Sequence, residues 1–174
     1  MARSTVSRRT LLASLGITGL AALAGCGFRL RGVPEFAFGS LYINALPASP
    51  LARELRRTLQ ASGAALQVLT EPVQMARAEA VFDLLQEQQE RSVVGLTASG
   101  QVRELQLRLR IKFKLRTPAG AELMDETELL QQRDISYSET IALAKEAEEA
   151  LLYRNMQTDL VQQLLRRLAA VRIP

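Results

Sequence analysis

The sequence predicts an α+β domain in which two helices pack on one face of a mixed sheet of four or five strands, in the order β-α-β-β-β-β-α. Three observations lead there. Within Gln101–Arg116, the twelve residues Leu105–Arg116 alternate apolar and polar without interruption, the period-two pattern of a half-buried strand. A helix-opening Ser49-Pro50 stands between two short apolar runs, which favours a right-handed crossover between parallel strands. The last thirty or so residues keep helical spacing without Pro or Gly up to Val171. The whole chain has 174 residues, 48% of them hydrophobic, which suits one domain plus a tail and is too apolar for disorder.

The tail comes first. Met1–Arg9 carries Arg3, Arg8 and Arg9 and no acid, and Leu11–Ala24 is apolar and uncharged. A basic stretch followed by a short apolar one reads as an export signal, residues 1–25. The apolar run falls short of the roughly 20 residues that span a bilayer. Leu23-Ala24-Gly25-Cys26 resembles the bacterial lipobox, which implies that Cys26 is diacylated and becomes the mature N-terminus. Two or three acyl chains at ~0.8 kcal/mol per buried CH₂ hold a protein at a membrane stably. Gly27 follows where inner-membrane lipoproteins tend to carry Asp, so the resemblance implies outer-membrane sorting on the periplasmic side. Ser7-Arg8-Arg9-Thr10-Leu11-Leu12 also resembles a twin-arginine signal, and both export routes stay open.

Removing residues 1–25 takes three arginines and no acid from 22 bases and 18 acids, leaving a side-chain net of +1. The basic character of the whole chain therefore belongs mostly to the signal and does not indicate nucleic acid as a partner.

Residues 26–40, with Gly27, Gly32, Pro34 and Gly39, read as a lipidated tether, and 41–174 as the single domain. Leu41-Tyr42-Ile43-Asn44 is a short strand. Ser49 caps a helix with Pro50 at its first position; Leu51, Leu55 and Leu59 form its buried stripe, and Gly63 ends it. Ala64–Leu69 is a strand and Glu71–Ala78, with Pro72, a connector. Ala80–Val94 reads as a strand with a polar outer end at Gln86–Arg91, and Gly95–Gly100 as a hairpin turn. Leu123–Tyr137 is the return strand after the Pro118-Ala119-Gly120 turn, with mixed periodicity over Met124–Leu130. Strands in such close succession imply an antiparallel meander. Ser136 and Glu139 fit a capping box for the last helix. Its expected buried stripe is Ile141, Ala144, Ala147, Leu151, Met156, Leu160, Leu164 and Leu168.

Chemistry is scarce. There is no His and one Cys, which excludes Ser-His-Asp and Cys-His machinery, an internal disulfide framework and a Cys-based zinc site. No Walker A loop, GxGxxG or nucleophile elbow occurs, so neither an active site nor a cofactor beyond the lipid on Cys26 is expected. Glu146, Glu148 and Glu149 beside Lys145 read as a solvated helix face. The informative surface is the basic strand. Arg108, Arg110, Lys112, Lys114 and Arg116 share one face, spaced about 6.6–6.8 Å apart. Such a run requires counter-charge. Either Glu122, Glu126 and Glu128 on the next strand supply it across the ladder, or the cations hold an anionic ligand such as a phosphorylated lipid.

Two stretches carry a family resemblance. Cys26-Gly27-Phe28-Arg29-Leu30-Arg31-Gly32 resembles the mature start of the lipopolysaccharide (LPS) assembly lipoprotein LptE (RlpB) family. Ile141-Ala142-Leu143-Ala144-Lys145-Glu146, Glu148-Glu149, Leu152-Tyr153-Arg154-Asn155-Met156 and Leu164-Leu165-Arg166-Arg167-Leu168 resemble that family's last helix. The resemblance implies two helices on a mixed four-stranded sheet. It implies a non-enzymatic plug for the lumen of the outer-membrane β-barrel LptD, and LPS binding during insertion into the outer leaflet. It assigns LPS contact to Lys145 and to a basic residue at the hairpin tip. The matching tip position here is the uncharged Ala98, which leaves Arg103 or the basic strand (Arg108, Arg110, Lys112, Lys114) as the substitute. A polar, mixed-charge surface suits a barrel lumen, whose wall is polar. The rival reading is a periplasmic lipid-binding or chaperone lipoprotein without a barrel partner, and a lipid-anchored hydrolase is disfavoured by the missing His.

Overall fold

A computed structural model describes residues 34–138 and 142–172, so the signal, Cys26, Glu139 and Ile141 lie outside the described residues. The elements are β1 (Ser40–Asn44), α1 (Pro50–Ala61), β2 (Gln67–Leu69), a 3-10 turn (Pro72–Arg77), β3 (Ala80–Leu96), β4 (Val102–Arg116), β5 (Glu122–Ser136) and α2 (Ala142–Ala170). They form a five-stranded sheet in the order β2-β1-β3-β4-β5. β1 lies between β2 and β3 and is parallel to both, while β3, β4 and β5 form the antiparallel meander.

β4 obeys its alternation throughout. Leu105, Leu107, Leu109, Ile111, Phe113 and Leu115 are buried, and the even-numbered residues from Gln106 to Arg116 remain partly exposed. The buried set joins Leu51, Leu55 and Leu59 of α1 and Met156, Leu160, Leu164 and Leu168 of α2 in one core. Phe82 stacks on Phe113 across β3 and β4 with centroids 5.4 Å apart. Both helices thus cover the same sheet face. Ser49 caps α1 by accepting the Ala52 N–H at 3.0 Å. Gly63 follows the helix end at φ 69°, a left-handed conformation that favours glycine.

Several expectations need correction. The folded body begins before Leu41: Phe38 is 2% exposed in the core, and the Gly39 carbonyl accepts the Gln67 N–H at 2.9 Å. The connector is not featureless, and the sheet face opposite the helices is partly covered by it. The connector winds into the 3-10 turn, and Met75 and Ala78 cover Tyr42, Leu69 and Val81 in a second, small apolar cluster. Ser136 is no helix cap, because its backbone belongs to β5, opposite Glu104.

The stripe on α2 holds only from Met156 onward. Ala144, Ala147 and Leu151 are exposed, and Ala142, Lys145, Glu149, Leu152 and Tyr153 face inward in their place. The polar outer half of β3 has too little apolar surface to hold the opening turns of α2 in the expected phase, and polar contacts hold them there.

Register shifts explain the irregular strands. β3 gains one residue against β4 between Leu84 and Gln86. Phe82 and Leu84 face the helices before that point, and Glu87, Gln89 and Arg91 face them after it. β5 gains a residue between Thr127 and Met124 and another between Met124 and Glu122, which scrambles its period where the sequence shows mixed spacing.

Candidate functional site

The five β4 cations project to the face away from the helices, as their alternation requires. The flanking strands supply most of their counter-charge. Arg110 Nη1 donates to Glu128 Oε1 at 2.7 Å, and its Nε lies 3.6 Å from Glu90 Oε1. Lys112 Nζ sits between Glu126 at 3.8 Å and Glu128 at 3.9 Å. Arg116 turns away from Glu122, its register partner, and donates to Asp83 from Nε at 2.7 Å and from Nη2 at 3.4 Å. Asp83 also accepts from Asn44 Nδ2 at 2.7 Å. Arg108 is held by the neutral Gln106 side chain at 2.8 Å. Lys114 has no hydrogen-bond or ion-pair partner among the described residues. Two of the five cations, Arg108 and Lys114, therefore lack a carboxylate partner.

Lys145 lies elsewhere, at the far end of β5. Its side chain is 13% exposed; Nζ donates to Glu148 Oε2 at 2.8 Å and to Ser136 Oγ at 3.2 Å. Arg103 is exposed at the start of β4, where its carbonyl accepts the Tyr137 N–H at 2.7 Å. Arg103 and Arg116 thus stand at opposite ends of β4. The predicted residues divide into a cationic sheet face and a corner formed by Arg103 and Lys145. Ala98 is exposed at the hairpin tip.

The corner contains groups that sequence reasoning passed over. Arg91 lies with its guanidinium 5.6 Å from the Tyr137 ring centroid and its Nε 3.5 Å from Glu149 Oε2. Tyr153 Oη donates to the Glu90 carbonyl at 2.6 Å. Burial raises the Tyr153 phenol above its ordinary 10.0; Glu149 and Glu90 push the same way, and Arg91 opposes them. Arg91 is the last residue of a polar stretch, and its inward direction follows only from the extra residue at Leu85. Asp83 could have been noticed as a lone acid in Val81-Phe82-Asp83-Leu84-Leu85, a signal of a buried pair.

Among the described residues no His, Cys, Asp and Glu group could hold a metal ion, and no helix is long and apolar enough to cross a membrane. What the site offers chemically is guanidinium and ammonium groups on a strand, donors of the kind that suit anions.

Known proteins share this fold and resemble this sequence. A sequence model described as "LptE: Lipopolysaccharide-assembly" matches residues 38–168. The LPS-assembly lipoprotein LptE of Yersinia enterocolitica is 29% identical over 166 residues, covering 94% of this chain and 77% of that protein. The LPS-assembly lipoprotein LptE of Photorhabdus laumondii is 27% identical over 161 residues, covering 89% and 84%. The solution structure of lipoprotein B from Nitrosomonas europaea superimposes with a TM-score of 0.70 at 32% identity, covering 83% of this chain and 91% of that one. The crystal structure of the rare lipoprotein B from Shewanella oneidensis shares the fold, with a TM-score of 0.63 at 24% identity, covering 75% and 94%. The match takes in all five strands and nearly all of the last helix, and on that ground the chain belongs to the LptE family of lipopolysaccharide-assembly lipoproteins, which are not enzymes.

Proposed function

We propose that this chain is an outer-membrane lipoprotein, anchored through Cys26 on the periplasmic side, that seats in the lumen of the LptD β-barrel and assists the insertion of LPS into the outer leaflet. Residues 1–25 are the signal that is removed, and the lipidated tether runs from Cys26 up to the folded body. The observation that carries the reading is the family match over residues 38–168. The surface is in keeping with it. The sheet face away from the helices is a lattice of opposite charges, Arg110 and Lys112 against Glu90, Glu126 and Glu128. Such a face suits a polar lumen wall and not lipid. Arg108, Lys114 and Arg103, which have no carboxylate partner among the described residues, together with Lys145, are the groups for LPS phosphates; Arg110 and Lys112 would have to exchange a carboxylate for a phosphate.

Two measurements test this. The acylated protein isolated from outer membranes should bring down a β-barrel protein in one-to-one ratio. Its absence would favour a periplasmic lipid carrier or chaperone. LPS binding by the mature body should weaken about tenfold when Lys145 and Lys112 are both changed to Glu, a loss on the order of 1.4 kcal/mol. Unchanged affinity removes those two residues from the site.

A further inference from the structure

β3 is much longer than the strand beside it. β1 pairs with β3 only from Leu41↔Ala80 to Asn44↔Asp83, whereas β4 follows β3 from Val81 to Leu96. Beyond Asp83, β3 is therefore an open sheet edge among the described residues. The hydrogen-bond pattern shows which groups face that edge. In an antiparallel ladder a residue's N–H and C=O point the same way, and the direction alternates along the strand. The Arg103 carbonyl accepts the Tyr137 N–H and the Thr117 N–H donates to the Ala121 carbonyl, so the odd-numbered residues of β4 turn to β5 and the even-numbered ones to β3. Gln86, Gln88, Glu90 and Ser92 lie opposite even-numbered residues of β4 and turn their backbone groups to it, and Glu87, Gln89, Arg91 and Val93 turn theirs to the open edge.

A groove runs along this edge. Near the end of β1 lies a cavity of about 640 Å³ lined by Asn44, Leu46, Pro47, Leu84, Leu85 and Gln89. Next to it, toward the hairpin, lies one of about 500 Å³ lined by Gln89, Arg91, Glu149, Tyr153, Arg154 and Gln157. Pro50 and Gln89 border both. The first wall is largely apolar, and Leu46 and Leu85 are 79% and 47% exposed. In the second, Arg91 already faces Glu149, while Arg154 has no ion-pair partner among the described residues.

We propose that the edge of β3 from Gln86 to Ser92 is completed by an extended segment of the barrel partner, added as a strand in line with β1. The inference rests on the barrel-plug reading and names where one contact is made. Seven residues of strand cover about 23 Å. Backbone pairing supplies the register, and the two cavities select side chains on the helix side of the segment. The segment carries an apolar residue toward Leu46 and Leu85 and a carboxylate toward Arg154, an even number of residues apart. A second copy of this chain fits less well, because the 45–50 loop and Tyr153 line the grooves beside the edge, and a second copy would bring its own loop and last helix to the same place.

Residue-resolved hydrogen exchange on the isolated chain and on its complex with the barrel, purified from outer membranes, tests the proposal. In the isolated chain the amides of Glu87, Gln89, Arg91 and Val93 should exchange ~100-fold faster than those of Gln86, Gln88, Glu90 and Ser92. In the complex the two sets should become alike. Gln89→Pro removes an N–H from the open edge and none from the ladder with β4. Arg154→Glu changes an exposed helix position and keeps the fold even if the proline variant does not. Each should lower the affinity for the barrel about tenfold. A complex whose odd-numbered amides from Glu87 to Val93 still exchange as fast as in the isolated chain overturns this proposal and leaves the plug reading standing. Failure to form any complex overturns both. Protection that grows with the concentration of the isolated chain means a second copy occupies the edge, and also overturns it.

Discussion

Asp83 and Arg116 meet across the β3–β4 pair with Oδ2 and Nε 2.7 Å apart, and the acid is 5% exposed. The two are not directly opposite in the ladder; Arg116 reaches diagonally beside Met75 of the 3-10 turn, whose Sδ lies 4.0 Å from its Nη2. A buried carboxylate left without its cation is costly. Arg116→Leu should therefore destabilise the chain by about 3 kcal/mol in urea unfolding, the lower end of the range for breaking a buried pair, since Arg116 is partly solvated. Asp83→Asn, which leaves no buried charge behind and can still face Asn44, should cost clearly less. Equal losses would mean that charge pairing is not what holds this end of the sheet.

Glu87 stabilises the start of α1. Its carboxylate accepts from Ser49 Oγ at 2.5 Å and from the Leu51 N–H at 3.1 Å, so a negative charge sits at the positive end of the helix. Ser49→Ala and Glu87→Ala should each cost about 1 kcal/mol, and a double-mutant cycle should show coupling of at least ~0.5 kcal/mol. Strict additivity would show that the two act separately.

The burial gradient along α2 sets a contrast between two truncations. Met156 is fully buried in the core, whereas Leu143 is 83% exposed. Met156→Ala should lower the unfolding free energy by about 2–5 kcal/mol, and Leu143→Ala by no more than ~0.5 kcal/mol. A large loss at Leu143 in the isolated chain would contradict the exposure of that face.

Tyr153 gives a pH dependence of known sign. Its phenol is raised above 10.0 in the folded state, chiefly by burial and then by Glu149, so the folded chain keeps a proton that the unfolded chain gives up. Stability should be insensitive to this group below pH 10.0 and should fall as pH rises beyond it. Thermal unfolding of Tyr153→Phe, compared with the parent between neutral pH and pH 11, should show a shallower alkaline decline. An identical slope in both proteins would assign the decline to other groups.

The sequence revealed most where a local pattern ran undisturbed. β4 keeps its alternation from Leu105 to Arg116, so its buried and exposed faces follow from the residues alone, and Ser49-Pro50 marks α1 just as plainly. Each misreading has a physical origin that no local pattern reports. The single extra residue near Leu85 reverses which side chains of β3 meet the helices, hiding the roles of Glu87 and Arg91. Two further shifts blur β5. The Lys145 ammonium is held by Ser136 from a strand that ends nine residues earlier in the chain, a contact that no local pattern reports. The pairing of Arg116 with Asp83 instead of the facing Glu122 spans 33 residues and depends on how the 3-10 turn folds over the sheet.

The uneven seating of α2 has a mechanical consequence. From Met156 to Leu168 the helix is bolted to the sheet by apolar side chains, while its opening turns hang on a few polar links: Lys145 to Ser136, Glu149 to Arg91 and Tyr153 to Glu90. Unzipping should therefore start at Ala142 and stall near Met156, so that a trace of protease acting on the folded chain nicks the first four turns long before it reaches the rest.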